Sequence, residues 1–453
     1  MNLNMDTSLN DKFASNPISW LPIIALGVDL FTPYLIWKNI IPAEVRWVSH
    51  LAIALMMVVV FIRMLGFNRI LPIVWMALAI TALWTYVAIG NGQGIVPTLW
   101  GMWLFFQFPL VAMFIYLQPD LPRQFPGMFR SFCMIVLAID VVFQGLQFVS
   151  GVQPGDSLSG LFGKNGTGHL VLFNLLVCCI YFGHWLNTRQ WTGLAVALSL
   201  SMFSSVLGEM KIFAAAISLI GGGALFLYAV KYRAPAKTLV FFTMLSIVLV
   251  SFFSFYNTLV PGADKHPLQT YIESPQKLLD YLNHTSRFNR DGGTYSDIGR
   301  LDAVKIGWNS IAKDPVTFLF GYGLGTRSES QSLGTAGVAL ISGGMGLSVG
   351  TSLLVMMQEM GSIGLTLLVI FWLWLLLALW RDIQRYSDLQ ATGLRYGLLL
   401  FSLCWPIWLW YATSWTSRVP MLMYWISLGY VFAENNLGHM KILFHTTQVP
   451  REA

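Results

Sequence analysis

Side chains that can bind anions and move protons are concentrated in one stretch of the chain, residues 261–347. This stretch holds Arg287, Arg290 and Arg300 together with His284. The arginine guanidinium is a planar fork of N–H donors that suits phosphate, and histidine exchanges a proton near neutral pH. We therefore expect the chemistry of this protein to take place in this stretch. The alternative for each residue is a solvated surface charge.

The rest of the chain must position these residues, and its composition is that of a membrane protein. The 453 residues are 56% hydrophobic and 11% charged, with a mean hydropathy of +0.63, which excludes an ordinary soluble domain. In lipid the backbone must satisfy its own polar groups, and strands of alternating polarity are not seen. We therefore predict an all-α, polytopic bundle of transmembrane helices rather than a barrel.

Apolar runs of about 20 residues, long enough to cross a hydrocarbon core of roughly 30 Å as helix, recur along the chain and predict about twelve spans. The predicted spans lie near 20–37, 48–65, 70–89, 96–117, 129–149, 167–186, 191–207, 212–230, 238–260, 357–380, 397–414 and 420–433. They divide the chain into a first group of helices within 1–260, the large loop 261–347, and a last group with a tail within 348–453.

The distribution of lysine and arginine predicts how the chain is threaded. If the N-terminus is cytoplasmic, the inner termini and short connections hold fourteen of these residues and the short outer connections hold five. Positive charge favours the cytoplasmic side, so the large loop is predicted to face outward, into the periplasm of a bacterium. The same bias explains the net charge of +6 without nucleic acid as a partner.

The large loop has a predicted local structure. Apolar and polar residues recur at helical spacing from 301 to 313, which predicts an amphipathic helix on the membrane surface. Asp314-Pro315 ends it, because proline lacks an N–H and restricts the preceding residue. A glycine-rich turn, Gly321-Tyr322-Gly323-Leu324-Gly325, follows. A nucleotide-binding loop is not predicted, since the lysine followed by Ser or Thr is missing.

Three short motifs resemble those of one family of membrane enzymes. The first runs from Gly299-Arg300 through Trp308 and Pro315 to the glycine-rich turn. The second is Gln358-Glu359-Met360-Gly361-Ser362-Ile363-Gly364, and the third is Gly160-Leu161-Phe162-Gly163-Lys164-Asn165. Their order, with about a dozen spans and one large outward loop, is similar to the O-antigen ligase and polysaccharide polymerase superfamily, which implies a GT-C-like fold.

The resemblance implies an integral membrane glycosyltransferase of the bacterial inner (plasma) membrane. Such an enzyme moves a glycan from a polyprenyl diphosphate to an acceptor hydroxyl on the outer side, without metal ion or nucleotide cofactor. The implied partners are the lipid-linked glycan, membrane lipid, and polysaccharide chain-length or export proteins. The reaction needs cations that neutralise the diphosphate leaving group and a base that takes the proton of the hydroxyl.

The cations expected to bind the diphosphate are Arg300, Lys211, Lys164, Arg287, Arg290 and Arg418. Arg300 occupies the position of the family's loop arginine, and Lys211 lies roughly where the family often has an arginine. The alternative for Arg300 is a surface ion pair with Asp297 or Asp302. For Lys211 it is an ion pair with Glu209 at the junction of two spans.

The base is where this chain departs from the family. Ligases of the family have a His-Asn pair shortly before the glutamate of the second motif, and here those positions are Gly350-Thr351. His284 and Glu359 are expected to act in its place, with His169 as a further candidate near the outer side. The alternatives are a solvated histidine and a glutamate that only fixes a helix end. The missing pair favours a polymerase over a lipid A ligase.

Two carboxylates inside predicted spans, Asp29 and Asp140, are also functional candidates. A charge within the membrane is energetically unfavourable, so an ionisable residue there usually has a functional role. The alternatives are that they stay protonated or pair within the bundle.

Several functions fit this sequence. We expect polymerisation of lipid-linked repeat units into a surface polysaccharide such as O-antigen, capsule or exopolysaccharide. The alternatives are ligase-type transfer to another acceptor, a transporter or flippase for lipid-linked glycans, and a non-catalytic assembly protein. The large one-sided loop favours the enzyme over a transporter.

Overall fold

The computed structural model describes residues 17–65, 71–118, 124–164, 166–233, 300–330, 333–338, 351–385 and 389–446, with a few isolated positions between 243 and 294. Almost all of the described chain is helical.

The first helices are α1 (Leu21–Trp37), α2 (Arg46–Leu65), α3 (Leu71–Gly90), α4 (Ile95–Tyr116), α5 (Phe125–Val149), α6 (Thr167–Thr188), α7 (Thr192–Leu207) and α8 (Lys211–Tyr232). The later helices are α9 (Arg300–Ile311), α10 (Pro315–Phe320), α11 (Ser352–Arg385), α12 (Leu389–Leu403), α13 (Trp405–Tyr411) and α14 (Arg418–Thr446). Two antiparallel pairs of two-residue strands are present, β1 (Asn289–Arg290) with β2 (Gly293–Thr294) and β3 (Glu329–Ser330) with β4 (Thr335–Ala336).

Seven helices in the described chain are long and apolar enough to cross a membrane. They are Ile18–Trp37, Ala43–Met64, Ile95–Tyr116, Phe125–Val149, Thr167–Thr188, Lys211–Tyr232 and Ser352–Arg385. Leu78–Gly90 and Thr192–Leu207 are shorter apolar helices. The prediction of a helical, multi-pass membrane protein is thereby confirmed. The predicted span 238–260 lies outside the described residues apart from isolated positions.

One predicted span differs in the structure. The run 397–414 was expected to be a single helix, but α12 begins earlier, at Leu389, and ends at Leu403, and α13 begins at Trp405. Pro406 is in the first turn of α13, where its missing N–H costs nothing, and it prevents α12 from continuing. The break leaves a connection from Tyr411 to Arg418 at the end of the bundle.

Helix α6 is the centre of the bundle, with most of its side chains buried. It packs most closely on α12, where Gly393 and Gly397 are spaced as in a GxxxG pair. A Cβ atom built on Gly183 of α6 would lie 2.2 Å from the Gly393 carbonyl oxygen and 2.3 Å from the Gly397 nitrogen. The two backbones can approach this closely only because these residues have no side chains.

The short connections that the charge distribution assigns to the outer side contact one another. Gly155 N donates to Leu207 O at 3.1 Å, which joins the α5–α6 and α7–α8 connections. The Asn91 side chain, between α3 and α4, donates to Tyr322 O of the glycine-rich turn at 3.0 Å. These connections therefore share one end of the bundle, as the alternation of spans requires.

The predicted amphipathic helix of the large loop is present as α9, and it packs on α11. Ala303 and Ile311 of α9 are buried with Leu354 and Met357 of α11, whereas Trp308 is 42% exposed. The run after Asp314-Pro315 also forms a helix, α10. The loop is thus fixed on a membrane helix by its apolar face.

The α6–α12 contact predicts that Gly183→Ala destabilises the protein by about 1–3 kcal/mol, because the added methyl group overlaps the backbone of α12. Gly222→Ala is the matched control, since Gly222 lies in α8 with nothing within 4 Å of its Cβ position. Thermal unfolding in detergent would measure both. Equal melting temperatures for the two variants would contradict the importance of this contact.

Candidate functional site

Two of the motifs found in the sequence contact each other directly. Helix α11 is interrupted at Gly361, which has a positive φ of 64°. The Gln358 and Glu359 carbonyls near this break accept hydrogen bonds from Tyr322 N at 2.7 Å and Gly323 N at 3.0 Å. The glycine-rich turn therefore supplies donors to carbonyls that the break releases from the helix ladder.

The Glu359 side chain holds the next part of the same turn. Its Oε1 atom accepts hydrogen bonds from Arg327 N and from the Ser328 hydroxyl, each at 2.9 Å. Glu359 is 5% exposed and also lines a partly open cavity. Glu359 thus fixes the loop segment after the glycine-rich turn rather than a helix end, and it is also one of the residues that line the cavity.

Arg300, at the start of α9, lies against the connection between α13 and α14. Its Nε atom donates to Tyr411 O at 3.0 Å, and its guanidinium carbon lies 4.2 Å from the centre of the Tyr411 ring. Within the part of the chain that the structure describes, its two terminal nitrogens have no hydrogen-bond acceptor. Arg300 is therefore held by Tyr411 through its Nε atom and the face of its guanidinium group, and its terminal nitrogens have no acceptor within the described chain.

The connection from Tyr411 to Arg418 is attached to the start of α11. Ser352 N donates to Ala412 O at 3.0 Å, and Trp415 N donates to the Ser352 hydroxyl at 2.9 Å. The indole of Trp415 donates to Phe105 O of α4 at 3.2 Å. These bonds make the connection one wall of the cavity. The cavity is lined by Gly101, Leu104, Phe105, Ser328, Ser352, Val355, Met356, Glu359, Met360, Thr413, Trp415 and Thr416.

Arg418, at the other end of this connection, is bound by residues of α1 and α2. Its Nε donates to Asp29 at 2.8 Å, Nη2 donates to the Ser49 hydroxyl at 2.8 Å, and Nη1 lies 2.7 Å from Nε2 of His50. The Asp29 side chain is 3% exposed and that of Arg418 is 23% exposed. Asp29 is therefore the counter-charge of Arg418. The Nε and Nη2 atoms of Arg418 have hydrogen-bond acceptors, and its Nη1 atom lies against the His50 ring.

His50 is surrounded by aromatic rings. Trp103 donates to its Nδ1 at 2.9 Å, and the rings of Trp47, Trp100 and Trp103 lie 5.2, 5.5 and 5.7 Å from it. His169, from α6, lies within electrostatic range of Arg418, and its buried Nδ1 has no partner among the described residues. Sequence reasoning missed Ser49 and His50. The signal that could have found His50 is the one that found Asp29, an ionisable residue within a predicted span.

The two lysines expected in the site have different surroundings. Lys211 forms an ion pair with Glu209 at 3.4 Å, the arrangement considered as its alternative. Lys164 is exposed in the α5–α6 connection.

Three further candidates belong to the large loop, of which the structure describes only part. His284 and Arg287 lie outside the described residues, and Arg290 belongs to β1, where it pairs with Gly293.

Asp140 is buried and accepts a hydrogen bond from Leu161 N at 2.8 Å, which holds the turn of the third motif. Thr351, at the position of the missing His-Asn pair, accepts a bond from Leu354 N at 3.2 Å and caps α11.

Arg327 is a feature that the sequence did not indicate. It lies just after the glycine-rich turn, is 4% exposed, and none of its three side-chain nitrogens has a hydrogen-bond partner among the described residues. A buried guanidinium without acceptors is unfavourable, because five N–H donors lose water and gain nothing in return. A charged residue in a polar loop ordinarily indicates solvent exposure, so no local signal distinguishes it.

Two groups outside the membrane spans have shifted pKa values. Hydrogen bonds from the Thr317 backbone N–H and hydroxyl lower the pKa of the exposed Asp314 below its usual 3.8, which fits its position at the N-terminus of α10. Burial lowers the pKa of Arg327 below its usual range, and the Glu359 carboxylate acts in the opposite direction. Since burial has the larger effect, the charge of Arg327 is less stable here than in water.

Among the described residues, no group of three or more His, Cys, Asp or Glu side chains is arranged to hold a metal ion. The chain matches no protein-family model, and no curated protein is similar to it at a significant level.

The Arg418–Asp29 pair predicts a strong effect of removing one partner. Asp29→Ala should lower the free energy of unfolding by about 3–5 kcal/mol, because it leaves a largely buried guanidinium uncompensated. The double variant Asp29→Leu with Arg418→Met should recover most of that loss. Glu44→Ala, an exposed carboxylate just before α2, is the control. Additive losses in the double variant would contradict a direct pairing.

Proposed function

We propose that this protein is an integral membrane glycosyltransferase that polymerises polyprenyl-diphosphate-linked oligosaccharide units into a surface polysaccharide. The observation that carries the proposal is the position of Arg300. Its guanidinium is held by Tyr411, keeps two nitrogens without acceptors among the described residues, and lies beside a connection that lines a cavity together with Glu359. An oriented cation with free donors suits a diphosphate leaving group.

The proposed reaction is a displacement at the anomeric carbon of the donor glycan. The acceptor hydroxyl oxygen forms a bond to this carbon, and the bond from the carbon to the diphosphate oxygen breaks. The electron pair leaves with the polyprenyl diphosphate, and the hydroxyl proton passes to a base. The charge on the leaving oxygens increases during this step, so cations fixed beforehand lower the barrier.

Arg300 and Arg418 have different proposed roles. Arg300 contacts the diphosphate, since its terminal nitrogens are available. Arg418 is a positioning residue, because Asp29, Ser49 and His50 already bind its nitrogens. Through this cluster Arg418 fixes one end of the cavity wall.

Glu359 is the proposed proton acceptor. It is the carboxyl group that lines the cavity, and the Arg327 N–H and Ser328 hydroxyl fix one of its oxygens. A carboxylate in hydrogen-bond reach of the acceptor hydroxyl can replace the histidine that Gly350-Thr351 lacks. His284 remains a proposed alternative from the loop.

The proposal places the protein in a bacterial inner membrane, with a cytoplasmic N-terminus, about twelve spans and the loop 261–347 in the periplasm. Labelling tests the threading. In a variant whose four cysteines are replaced by serine, Lys164→Cys should react with a membrane-impermeant maleimide on intact spheroplasts, and Arg233→Cys should react only after lysis. Reaction of Arg233→Cys without lysis would reverse the orientation and contradict the proposal.

The activity assay uses purified protein in lipid nanodiscs with a polyprenyl-diphosphate oligosaccharide and neither metal nor nucleotide. Wild-type protein should lengthen the glycan, and Arg300→Ala should lower the rate at least tenfold, or about 1.4 kcal/mol in the barrier. Arg300→Lys should be intermediate, because it keeps the charge without the planar fork.

Lys313→Ala, an exposed cation two residues after α9, is the control for a general loss of positive charge. An Arg300→Ala variant that folds and keeps the wild-type rate would refute the role of Arg300. Wild-type protein that forms no glycosidic bond would refute the proposed activity and favour a transporter.

A further inference from the structure

The group that the proposed mechanism does not yet use is Arg327. It is 4% exposed, and its three side-chain nitrogens lack hydrogen-bond partners among the described residues. Arg395, which is buried, and Arg418, which is partly buried, each have a carboxylate at hydrogen-bond distance, Glu434 for Arg395 and Asp29 for Arg418. Arg327 differs from both, because not even one of its three side-chain nitrogens has a hydrogen-bond partner among the described residues.

Glu359 does not supply the missing acceptor. Its Oε1 atom accepts bonds from the Arg327 backbone N–H and the Ser328 hydroxyl, so the carboxylate is used to hold the turn. The guanidinium and the carboxylate attract each other through space without a hydrogen bond between them. The acceptor must come from elsewhere if all these donors are to be satisfied.

The position of Arg327 limits what that acceptor can be. Its own N–H and the next residue, Ser328, contact Glu359, and both Ser328 and Glu359 line the cavity beside the Tyr411–Arg418 connection. A planar fork of five donors is best satisfied by a group with several oxygens, and phosphate provides them in a matching geometry.

We infer that Arg327 binds a phosphate of the polyprenyl diphosphate donor, as a second cation of the proposed site together with Arg300. The inference rests on the proposed function and names a residue that takes part in binding the same substrate. Without bound polyprenyl diphosphate, the unpaired charge of Arg327 makes the turn less stable than it is when the lipid is bound. Binding of the phosphate satisfies the guanidinium and stabilises the turn against α11.

Arg327→Met should affect the stability of the ligand-free protein and its affinity for the lipid in opposite directions. Arg327→Met keeps most of the side-chain volume and removes the charge. Without ligand, its melting temperature should equal or exceed that of the wild type, because an unsatisfied buried charge has been removed. With polyprenyl diphosphate, its affinity should be at least tenfold weaker, and the ligand should raise its melting temperature less than that of the wild type.

The test measures binding of polyprenyl diphosphate without sugar to the full chain in nanodiscs, by thermal shift and by titration, with inorganic diphosphate in a parallel arm. Arg327→Lys should lie between wild type and Arg327→Met. Arg381→Met, an exposed arginine near the other end of α11, is the control and should bind like wild type.

Three results would overturn the inference. One is unchanged affinity of Arg327→Met for polyprenyl diphosphate, and another is equally tight binding of inorganic diphosphate by the wild type, which would indicate a site for free anions. The third is a lower melting temperature of ligand-free Arg327→Met, which would mean that Arg327 serves only as a counter-charge for Glu359.

These outcomes are separate from failure of the proposed function, because the binding assay needs no sugar and no acceptor. Wild-type protein that binds the lipid through Arg327 but forms no glycosidic bond would refute the function alone. Wild-type protein that lengthens glycans while Arg327→Met keeps full affinity would refute this inference alone.

Discussion

The buried contact between Arg418 and Asp29 is the interaction on which the geometry of the candidate site depends. Two charges inside an apolar bundle are unfavourable unless they pair and their remaining donors are satisfied. Here Ser49 accepts a second hydrogen bond from the arginine and His50 lies against its Nη1 atom, so the start of α14 has one favourable position against α1 and α2. The connection from Tyr411 to Arg418 is consequently fixed at its far end.

Close backbone contacts at glycine fix the rest. At Gly183 the backbones of α6 and α12 are in direct contact, with no side chain between them. The backbones of Gly321 and Gly361 are in direct contact in the same way. Neither contact tolerates a Cβ atom, and both join segments far apart in the chain. The described part of the loop that holds Arg300 and Arg327 is therefore attached to the bundle at defined points, which fixes the positions of these two arginines.

The positions of most helices could be predicted from the sequence, because they depend on local composition. Apolar runs located most helices because lipid forces the backbone to satisfy itself within each segment. The break before Trp405 was missed, although Pro406 marks it. Pairings across long separations were not predictable: Asp29 was a candidate on its own, but nothing local connects it to Arg418, 389 residues away. Glu359 and the glycine-rich turn were found as separate motifs, and only their contact explains why both are present.

The most direct test of the account is the location of the donor. A cryo-electron microscopy structure of the wild-type protein in nanodiscs with polyprenyl diphosphate would show the two phosphates as strong density. The account predicts that density beside the Tyr411–Arg418 connection, with phosphate oxygens about 3 Å from the terminal nitrogens of Arg300. Density at the opposite end of the bundle, or away from Arg300 on the same side, would contradict it.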